Sequence, residues 1–344
     1  GNDLFDTLGL PYERSTGTSR FQALVAQADF SWPFAGAGKL ESGLKSTLRQ
    51  VDNDQSLSIL QKPSMDYADN PYFGDVFGYD EQVAAAYSMY SGKWRKFEYN
   101  GGLRAEQTLI DIDSRQQGTY HKQYLSLFPS VFLKYNLKTG REVQLSYSRR
   151  INRPDSRQMN PFTDYSDSVN IRRGNPYLNP EMIHSLDLSY SSNLKNGSTF
   201  TASVYYRHTD DLITRFRMVD TVQGISIMTS TNFSSSENLG AEAVLRLQFG
   251  RSLSVMTSLN GFRNTINASN ISPDLQSASN QWSGRINLNA KLTQATSLQV
   301  TGNYMSPMKS PFGEFRGMSG VDAGIRQELW KGKGSLNLNV TDIF

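Results

Sequence analysis

The sequence predicts an all-β protein whose strands cross a membrane as an antiparallel, up-and-down β-barrel of about fourteen strands. Three observations predict this class. Apolar and polar residues alternate along most of the chain, and short connections alternate with long ones. In addition, only 38% of the 344 residues are hydrophobic, and the mean hydropathy is −0.50. That composition is low for a soluble protein with a wide core, but it suits a wall with lipid on one face and water on the other.

The alternation has a period of two, which is the period of a strand with two different faces. Between Leu24 and Trp32 the even positions are apolar, and Gln27, Asp29 and Ser31 stand between them. The same pattern recurs near residues 40–48, 97–106, 142–148, 186–190, 200–206, 243–249, 253–259, 286–292, 298–300, 321–325 and 336–340. Almost no segment has a helical period, so the pattern predicts strands along nearly the whole chain.

The connections between these segments alternate in length. The short ones are rich in the Gly, Asn, Lys and Ser of tight hairpins: "PFAGAG", "YSGKWRK", "NLKTGR", "NLKNGS", "FGRS", "TQAT" and "WKGKGS". The long ones are predicted at residues 52–79, 111–124, 152–184, 209–239, 265–282 and 305–320. A β-sandwich has no reason to separate short turns from long loops, whereas an outer-membrane barrel has short turns in the periplasm and long loops outside.

The alternation also predicts which solvent each face meets. In a membrane barrel the apolar row faces lipid, and the row of Ser, Asn, Gln, Glu and Arg faces a wet interior. Aromatic residues beside the short turns favour this orientation, because an interfacial girdle would lie there. They are Phe30, Trp32, Phe34, Tyr90, Trp94, Tyr135, Tyr190, Phe249 and Trp330. The alternative is a soluble all-β protein whose aromatic residues fill an inner core.

Charge and residue content exclude several classes of protein. The 35 basic and 32 acidic residues give a net charge of +3 and are interleaved, so no basic stripe suits nucleic acid. The absence of cysteine excludes disulfides and thiolate metal sites. No apolar run is long enough for a transmembrane helix. The opening "GNDLFDTLGL" lacks the features of a signal peptide and is expected to be an internal start.

Several long blocks of the sequence resemble a known family. Residues 152–190 include "GNPYLNPE" followed by an alternating strand, and this block resembles the C-terminal half of TonB-dependent outer-membrane receptors. The stretches "YYRHTDDLITRF" and "NLGAEAVLRL" resemble the block that follows it in those receptors. The stretches "FGYDEQVAAAYSMYSGKWRKFEYNGGLRAEQT" and "SLNLNVTDIF" are similar to the β-barrel domain of receptors of the Bacteroidetes type. The resemblance covers the chain from about Arg20 onward and keeps the blocks in order.

The resemblance implies a receptor in the outer membrane of a Gram-negative cell that imports a nutrient such as a siderophore, glycan or peptide. Receptors of this family have barrels of roughly 22 strands, so the chain would supply part of one. We expect an irregular segment at residues 1–19 and an incomplete barrel domain at residues 20–344, without the plug. The expected partners are outer-membrane lipid, an unknown small ligand and, through a plug outside this chain, the TonB complex; no nucleic acid is expected. The alternatives are a passive porin or channel and, third, a barrel enzyme or assembly scaffold.

Residues on the long loops are the candidates for ligand binding. Arg153, Arg157, Arg172 and Arg173 crowd one loop and could attract an anionic ligand, although the carboxylates of Asp155, Asp164 and Asp167 offset them. The rings of Tyr72, Phe162 and Tyr165 could stack on a ligand or pack one loop on another. The family motif contains six residues expected to shape the chain where a long loop enters a strand. They are Gly174, Asn175, Pro176, Leu178, Pro180 and Glu181.

A catalytic role is weighed for "HTDD" at His208–Asp211, since an imidazole and two carboxylates can activate water. No second pair of acids can be placed opposite it. His121 and His184 stand alone in the sequence, so the three imidazoles lack the spacing of metal ligands. The prediction is a protein without catalytic residues, metal or cofactor, and not an enzyme.

Overall fold

The computed structural model describes residues 13–34, 38–61, 66–69, 74–164, 169–222, 224–310 and 313–343. Within these ranges the chain is almost entirely β-structure. No helix among them is long and apolar enough to cross a membrane.

The described residues form nineteen strands. The long ones are β1 (Glu13–Phe34), β2 (Gly38–Gln61), β4 (Asp75–Trp94), β5 (Phe97–Ser114), β6 (Gly118–Lys138), β7 (Arg141–Asn152), β10 (Glu181–Asn193), β11 (Thr199–Asp220), β12 (Ile225–Phe249), β13 (Leu253–Asn267), β14 (Gln276–Lys291), β15 (Thr296–Met305), β18 (Met318–Leu329) and β19 (Gly334–Val340). The short ones, of two to four residues, are β3 (Asp66–Asp69), β8 (Thr163–Asp164), β9 (Asn170–Arg173), β16 (Met308–Ser310) and β17 (Gly313–Phe315). The described total therefore exceeds the predicted number of about fourteen strands. Strand β1 begins at Glu13, inside the segment 1–19 that was expected to be irregular.

The long strands form one antiparallel sheet in which each strand pairs with the next long strand along the chain. This is the up-and-down order that short hairpins impose. The sheet is open rather than a closed barrel: among the described residues, β1 pairs only with β2, and β19 pairs only with β18. Closure needs hydrogen bonds between the two edge strands, and the described ladder contains none. Each edge therefore presents backbone N–H and C=O groups without a neighbouring strand.

The two faces of the sheet have different side chains. We call the face that the described part of residues 152–181 covers the inner face, and the opposite one the outer face. Large apolar side chains are exposed along the outer face, among them Leu24, Leu44, Leu48, Leu109, Leu125, Leu188, Val204, Leu259 and Ile286. The registers place charged residues such as Glu81, Arg104 and Glu106 on the inner face. An apolar outer band and a polar inner wall are what a strand between lipid and water requires.

Several predicted loops are instead strands. The predicted loop at residues 111–124 contains only a turn at residues 115–117, and the predicted loop at residues 209–239 is mostly the β11–β12 hairpin, paired from Asp220↔Ile225 onward. Beyond the apolar band both faces of a strand meet water, so the alternation that marks a strand in the sequence is lost. The backbone groups are nevertheless satisfied by continuing the ladder.

Aromatic side chains pair beside the short turns. The ring of Phe97 lies 4.6 Å from that of Tyr135 between centroids, and the ring of Trp94 stacks on that of Phe97 at 6.3 Å.

Tyr205 and Gly240 are in close contact on the inner face. The Tyr205 ring lies over Gly240, and the Tyr205 hydroxyl donates to Asn260 Oδ1 at 3.0 Å. A Cβ on Gly240 would lie 2.5 Å from the Tyr205 ring, so only glycine leaves room for the ring there.

Candidate functional site

The described part of residues 152–181 connects β7 to β10 across the inner face, and we call it the crossing segment. Its first residues contact β4 and β5, and its later residues contact β12. Five strand-to-strand steps separate β5 from β12 in the sheet, in the order β5, β6, β7, β10, β11 and β12. The segment therefore links two distant parts of the wall on the loop side of the interior.

An ion cluster holds the beginning of the crossing segment on the wall. The Arg153 guanidinium Nη2 lies 2.5 Å from Glu106 Oε2 and donates to Thr108 Oγ1 at 3.0 Å. Its Nε lies 3.8 Å from Glu81 Oε1. Both carboxylates are almost fully buried. Buried carboxylates require cations and hydrogen-bond donors.

Two further arginines complete this cluster from the strands themselves. Arg104 Nε lies 2.5 Å from Glu106 Oε1, and Arg49 Nη1 lies 2.8 Å from Glu81 Oε2. Each carboxylate thus has one partner on its own wall and shares Arg153. Arg153 of the crossing segment is thus a second cation for both buried carboxylates.

An apolar cluster lies directly beyond the ions. Met159 is fully buried and packs with Val51, Phe77, Tyr79, Ile110 and Ile112. These wall residues belong to β2, β4 and β5, and they are apolar although they face the interior. The covering segment removes them from water, which supplies the driving force for its position.

Met159 ends a single helical turn, α1 (Ser156–Met159), which begins with a capping box. The Asp155 carboxylate accepts from the Gln158 backbone N–H at 2.8 Å, and the Gln158 side chain accepts from the Asp155 N–H at 2.9 Å. The reciprocal bonds satisfy donors at the start of the turn. They fix the direction in which the segment leaves the ion cluster.

The family motif closes the crossing segment through several hydrogen bonds. The Gly174 and Asn175 N–H groups donate to Asn160 and Gln158 carbonyls at 2.9 and 2.7 Å. A Cβ on Gly174 would lie 2.3 Å from the Asn160 carbonyl. The close approach of two backbones therefore explains the glycine.

The motif also ties the segment to the strands at its far end. Glu181 Oε2 accepts from Asn152 Nδ2 at 2.7 Å, and its Oε1 accepts from the Ile213 N–H at 2.6 Å. Asn175 Nδ2 donates to the Ser230 carbonyl at 3.2 Å. Pro176, Leu178 and Pro180 are buried. These contacts hold the chain where it enters β10.

Lys122 of β6 adds a third anchor. Its Nζ donates to the Tyr177 carbonyl at 2.9 Å and also to the Leu178 carbonyl. Burial lowers the pKa of Lys122, and the nearby Asp211 carboxylate acts in the opposite direction. On β6 the exposed apolar band begins at Leu125, so Lys122 lies beyond it on the loop side.

The predicted ligand residues have different surroundings. Arg157, Arg172 and Arg173 are exposed, whereas Arg153 is engaged in the ion cluster. Phe162 is half-buried, and its N–H donates to Asn160 Oδ1 at 3.0 Å. Tyr72 and Tyr165 lie outside the described residues. Ligand binding by these seven residues stays a prediction.

His208, which was considered for catalysis, and the isolated His184 both lie on the outer face. His184 and His208 are direct partners across β10 and β11. His208 Nε2 lies 2.9 Å from Asp210 Oδ1, and His184 Nδ1 lies 2.9 Å from the Tyr147 hydroxyl. In the described part of the chain no three His, Asp or Glu side chains are placed to hold a metal ion. The arrangement is a hydrogen-bonded row at the border of the apolar band.

Sequence reasoning did not identify Glu81, Arg49, Thr108 or Lys122 as part of this region. The alternation assigns Glu106 and Arg104 to the polar row, but it does not show which polar residues meet the crossing segment. Residues of the same row become partners of Arg153 only when the segment folds back onto the wall. No local signal in the sequence marks that contact.

The comparisons with known proteins agree with this architecture. A family described as an outer membrane protein beta-barrel family matches residues 7–344. No curated protein sequence matches the chain. Among solved structures, the chain is similar to the copper transporter OprC at 14% identity and a TM-score of 0.70, with 96% of this chain and 52% of that chain covered.

Two further solved structures are similar to the chain. The ferric citrate transporter FecA has 12% identity and a TM-score of 0.68, and the ferric-catecholate import receptor Fiu from Escherichia coli K12 has 13% identity and a TM-score of 0.64. In each case 96% of this chain is covered, against 50% and 51% of those chains. The chain thus spans about half the length of these proteins, and at such identities the likeness concerns the fold.

Proposed function

The chain belongs to the outer membrane protein β-barrel family, which places it in the outer membrane of a Gram-negative cell, and we propose that it is the barrel part of a TonB-dependent receptor. In this role it would import a scarce nutrient into the periplasm. The barrel would supply the wall and the passage, and it would carry out no bond chemistry. The ligand would be a siderophore, a glycan, a peptide or a similar molecule.

One observation carries the proposal: the crossing segment covers the inner wall and is fixed to both β4–β5 and β12. A passive channel needs an unobstructed aqueous lumen. In a closed barrel, a segment held on the inner wall by a buried ion cluster, an apolar cluster and the hydrogen-bonded anchors at Glu181 and Lys122 would narrow the lumen instead. A narrowed interior suits a receptor whose passage opens only when a ligand and an energy source act on it.

The crossing segment also suits ligand capture from the loop side. Arg157, Arg172 and Arg173 are exposed on it, and Tyr177 is 73% exposed with its ring edge-on to Tyr120 at 5.4 Å. Cations and an exposed ring together would suit an anionic or ring-bearing ligand. We propose Arg157, Arg172, Arg173 and Phe162 as contacts for such a ligand, with Tyr72 and Tyr165 as further candidates on the loops.

The transport cycle requires parts beyond this chain's wall. A plug domain would close the barrel, and the TonB complex of the inner membrane would act on that plug. The stretches "FGYDEQVAAAYSMYSGKWRKFEYNGGLRAEQT" and "SLNLNVTDIF" favour a receptor of the Bacteroidetes type. The similar structures are a copper transporter, a ferric citrate transporter and a ferric-catecholate import receptor, and they give this chain no specific ligand.

Uptake in cells tests the proposal. A strain that lacks the gene, and the same strain complemented with the gene, would be supplied with radiolabelled copper, ferric siderophores, oligosaccharides and peptides, with and without a protonophore. We expect one ligand class to enter only in the complemented strain and only without the protonophore. Uptake that continues with the protonophore, together with size-dependent swelling of liposomes containing the protein, would establish a passive channel in place of a receptor.

A further inference from the structure

An apolar recess lies on the outer face where β10–β14 cross the lipid band. Its volume is about 980 Å³. The floor lies on three neighbouring strands and consists of the small residues Ala202, Ala241, Ala243 and Gly261, together with Val204. The registers place Val204, Ala241 and Gly261 side by side in one row, and Ala202 beside Ala243 in the next. The small side chains leave a depression in a surface that is otherwise covered by leucines and aromatic rings.

Larger side chains form the walls of the recess. Leu188 and Tyr190 of β10 stand on one side, and Leu259 and Trp282 stand on the other. The Trp282 ring stacks on Tyr304 at 4.3 Å between centroids, so this wall has a fixed orientation. The strand backbones of the floor are paired in the ladder on both sides. A molecule in the recess therefore finds apolar contact and few free hydrogen-bonding groups, which suits hydrocarbon better than polypeptide.

A cation lies at the loop-side end of the recess. Arg263 is exposed on the outer face, two residues beyond Gly261 and directly opposite Asn280 of β14. Among the described residues no carboxylate forms an ion pair with Arg263. Glu237 lies two residues before Leu239, the partner of Arg263 on β12. Its carboxylate instead faces His208 Nδ1 at 3.5 Å. A lone guanidinium beside a membrane's apolar band favours an anionic headgroup, since Arg binds phosphate in a bidentate manner.

We propose that this recess is a specific lipid site, which holds acyl chains of a phosphate-bearing lipid with the phosphate at Arg263 and Asn280. The membrane location identifies hydrocarbon as the medium that covers this face, and the unpaired cation selects an anionic lipid among those present. Arg263 lies at the loop-side end of the recess, where the outer leaflet presents the phosphates of lipid A, so lipid A is the occupant that we assign to the site. The site lies on the opposite face of the sheet from the crossing segment, so it does not depend on the transported ligand.

Native mass spectrometry of the purified chain in mild detergent tests the site. The chain would be delipidated and titrated separately with lipid A, phosphatidylglycerol and uncharged diacylglycerol. Ala241→Phe fills the floor, and Arg263→Gln removes the cation. Ala86→Phe places the same ring on the outer face of β4, and Arg20→Gln removes an exposed outer-face arginine on β1; these two are the matched controls. Heat-modifiability on a detergent gel checks that every variant folds.

The expected result is one retained phosphate lipid per chain, with affinity lowered at least about tenfold by Ala241→Phe and by Arg263→Gln and unchanged by both controls. Tighter binding of lipid A than of phosphatidylglycerol supports the site, and the reverse order would overturn lipid A as its occupant. Equal retention of diacylglycerol would overturn the role of the charge. Unchanged binding in a folded Arg263→Gln variant would overturn the site even if Ala241→Phe failed to fold.

Discussion

Arg153 and Glu106 stand 47 residues apart in the sequence, and their side chains meet at 2.5 Å on the inner face. Arg153 belongs to the crossing segment and Glu106 to β5, so this pair joins a loop to the wall that it covers. Glu106 and its neighbour Glu81 are buried, and Arg153 lies between them. This contact anchors the crossing segment to the polar row of the inner wall.

Replacing Arg153 tests this anchor. Arg153→Met leaves two buried carboxylates with one cation each, and we expect a loss of about 2–3 kcal/mol in the free energy of unfolding. Urea unfolding in detergent, followed by tryptophan fluorescence, measures it. The exposed Arg157→Met on the same segment should change stability by less than about 0.5 kcal/mol. A neutral result for Arg153→Met would show that the ion cluster does not hold the segment.

Glu181 is the second anchor, and its loss should loosen the segment locally. Glu181→Ala removes the acceptor of Asn152 Nδ2 and of the Ile213 N–H, at a cost of about 1–3 kcal/mol. Limited trypsin digestion should then cleave faster after Arg157, Arg172 and Arg173. Glu181→Gln keeps one acceptor and should give an intermediate rate. Equal rates in all three proteins would count against a latch at this position.

Leu178 and Tyr177 are adjacent in the motif and differ in burial. Leu178 is 1% exposed and Tyr177 is 73% exposed. Leu178→Ala creates a cavity and should lower stability by about 2–5 kcal/mol, whereas Tyr177→Ala should have little effect. Thermal unfolding in detergent distinguishes the two. A larger loss of stability for Tyr177→Ala than for Leu178→Ala would mean that Tyr177, and not Leu178, is the buried residue of the motif.

Gly240 accommodates the Tyr205 ring across two strands. Gly240→Ala places a methyl group 2.5 Å from that ring and 2.6 Å from Phe262 Cβ, and we expect a loss of about 1–3 kcal/mol. Adding Tyr205→Ala should recover part of it. Gly101→Ala is the matched control, because its Cβ would meet nothing within 4 Å. If Gly240→Ala and Gly101→Ala are equally stable by urea unfolding, the Tyr205 ring does not require glycine at residue 240.

Asp80 should make stability depend on pH. Beyond the apolar band on the loop side, burial and the carboxylates of Asp52, Asp111 and Asp113 raise the pKa of Asp80. The folded state thus holds this proton more tightly than the unfolded state, so the ionised carboxylate destabilises the protein above its folded pKa. Below the ordinary Asp value of roughly 3.9 the penalty is absent.

We therefore expect Asp80→Asn to raise the midpoint of thermal unfolding at pH 7 and to leave it unchanged near pH 3. The comparison with wild-type protein over this pH range measures the effect. Asp274→Asn, on an exposed loop away from the four carboxylates, serves as the control. A stabilisation that persists unchanged at the acidic end would point to packing rather than to charge.

Alternation along the strands determined the fold class and the faces. Leu188 and Val204 lie in an apolar row, and both are exposed on the outer face, while Glu106 belongs to the polar row and lies inside. The sequence determines this because a period of two follows directly from the pleat, and each row meets one solvent. For the family motif the sequence predicts a structural role of Gly174, Pro176 and Pro180, since glycine and proline constrain the backbone locally.

Tertiary structure alone decided how the rows meet one another. The extension of β11 and β12 beyond the membrane, the open edges at β1 and β19, and the meeting of Arg153 with Glu106 follow from pairing and curvature over the whole sheet. In a strand with water on both faces, apolar and polar residues do not alternate, so the sequence does not mark it as a strand. Contacts across 47 residues depend on where a segment crosses the interior, and that path is fixed by the wall that it packs against.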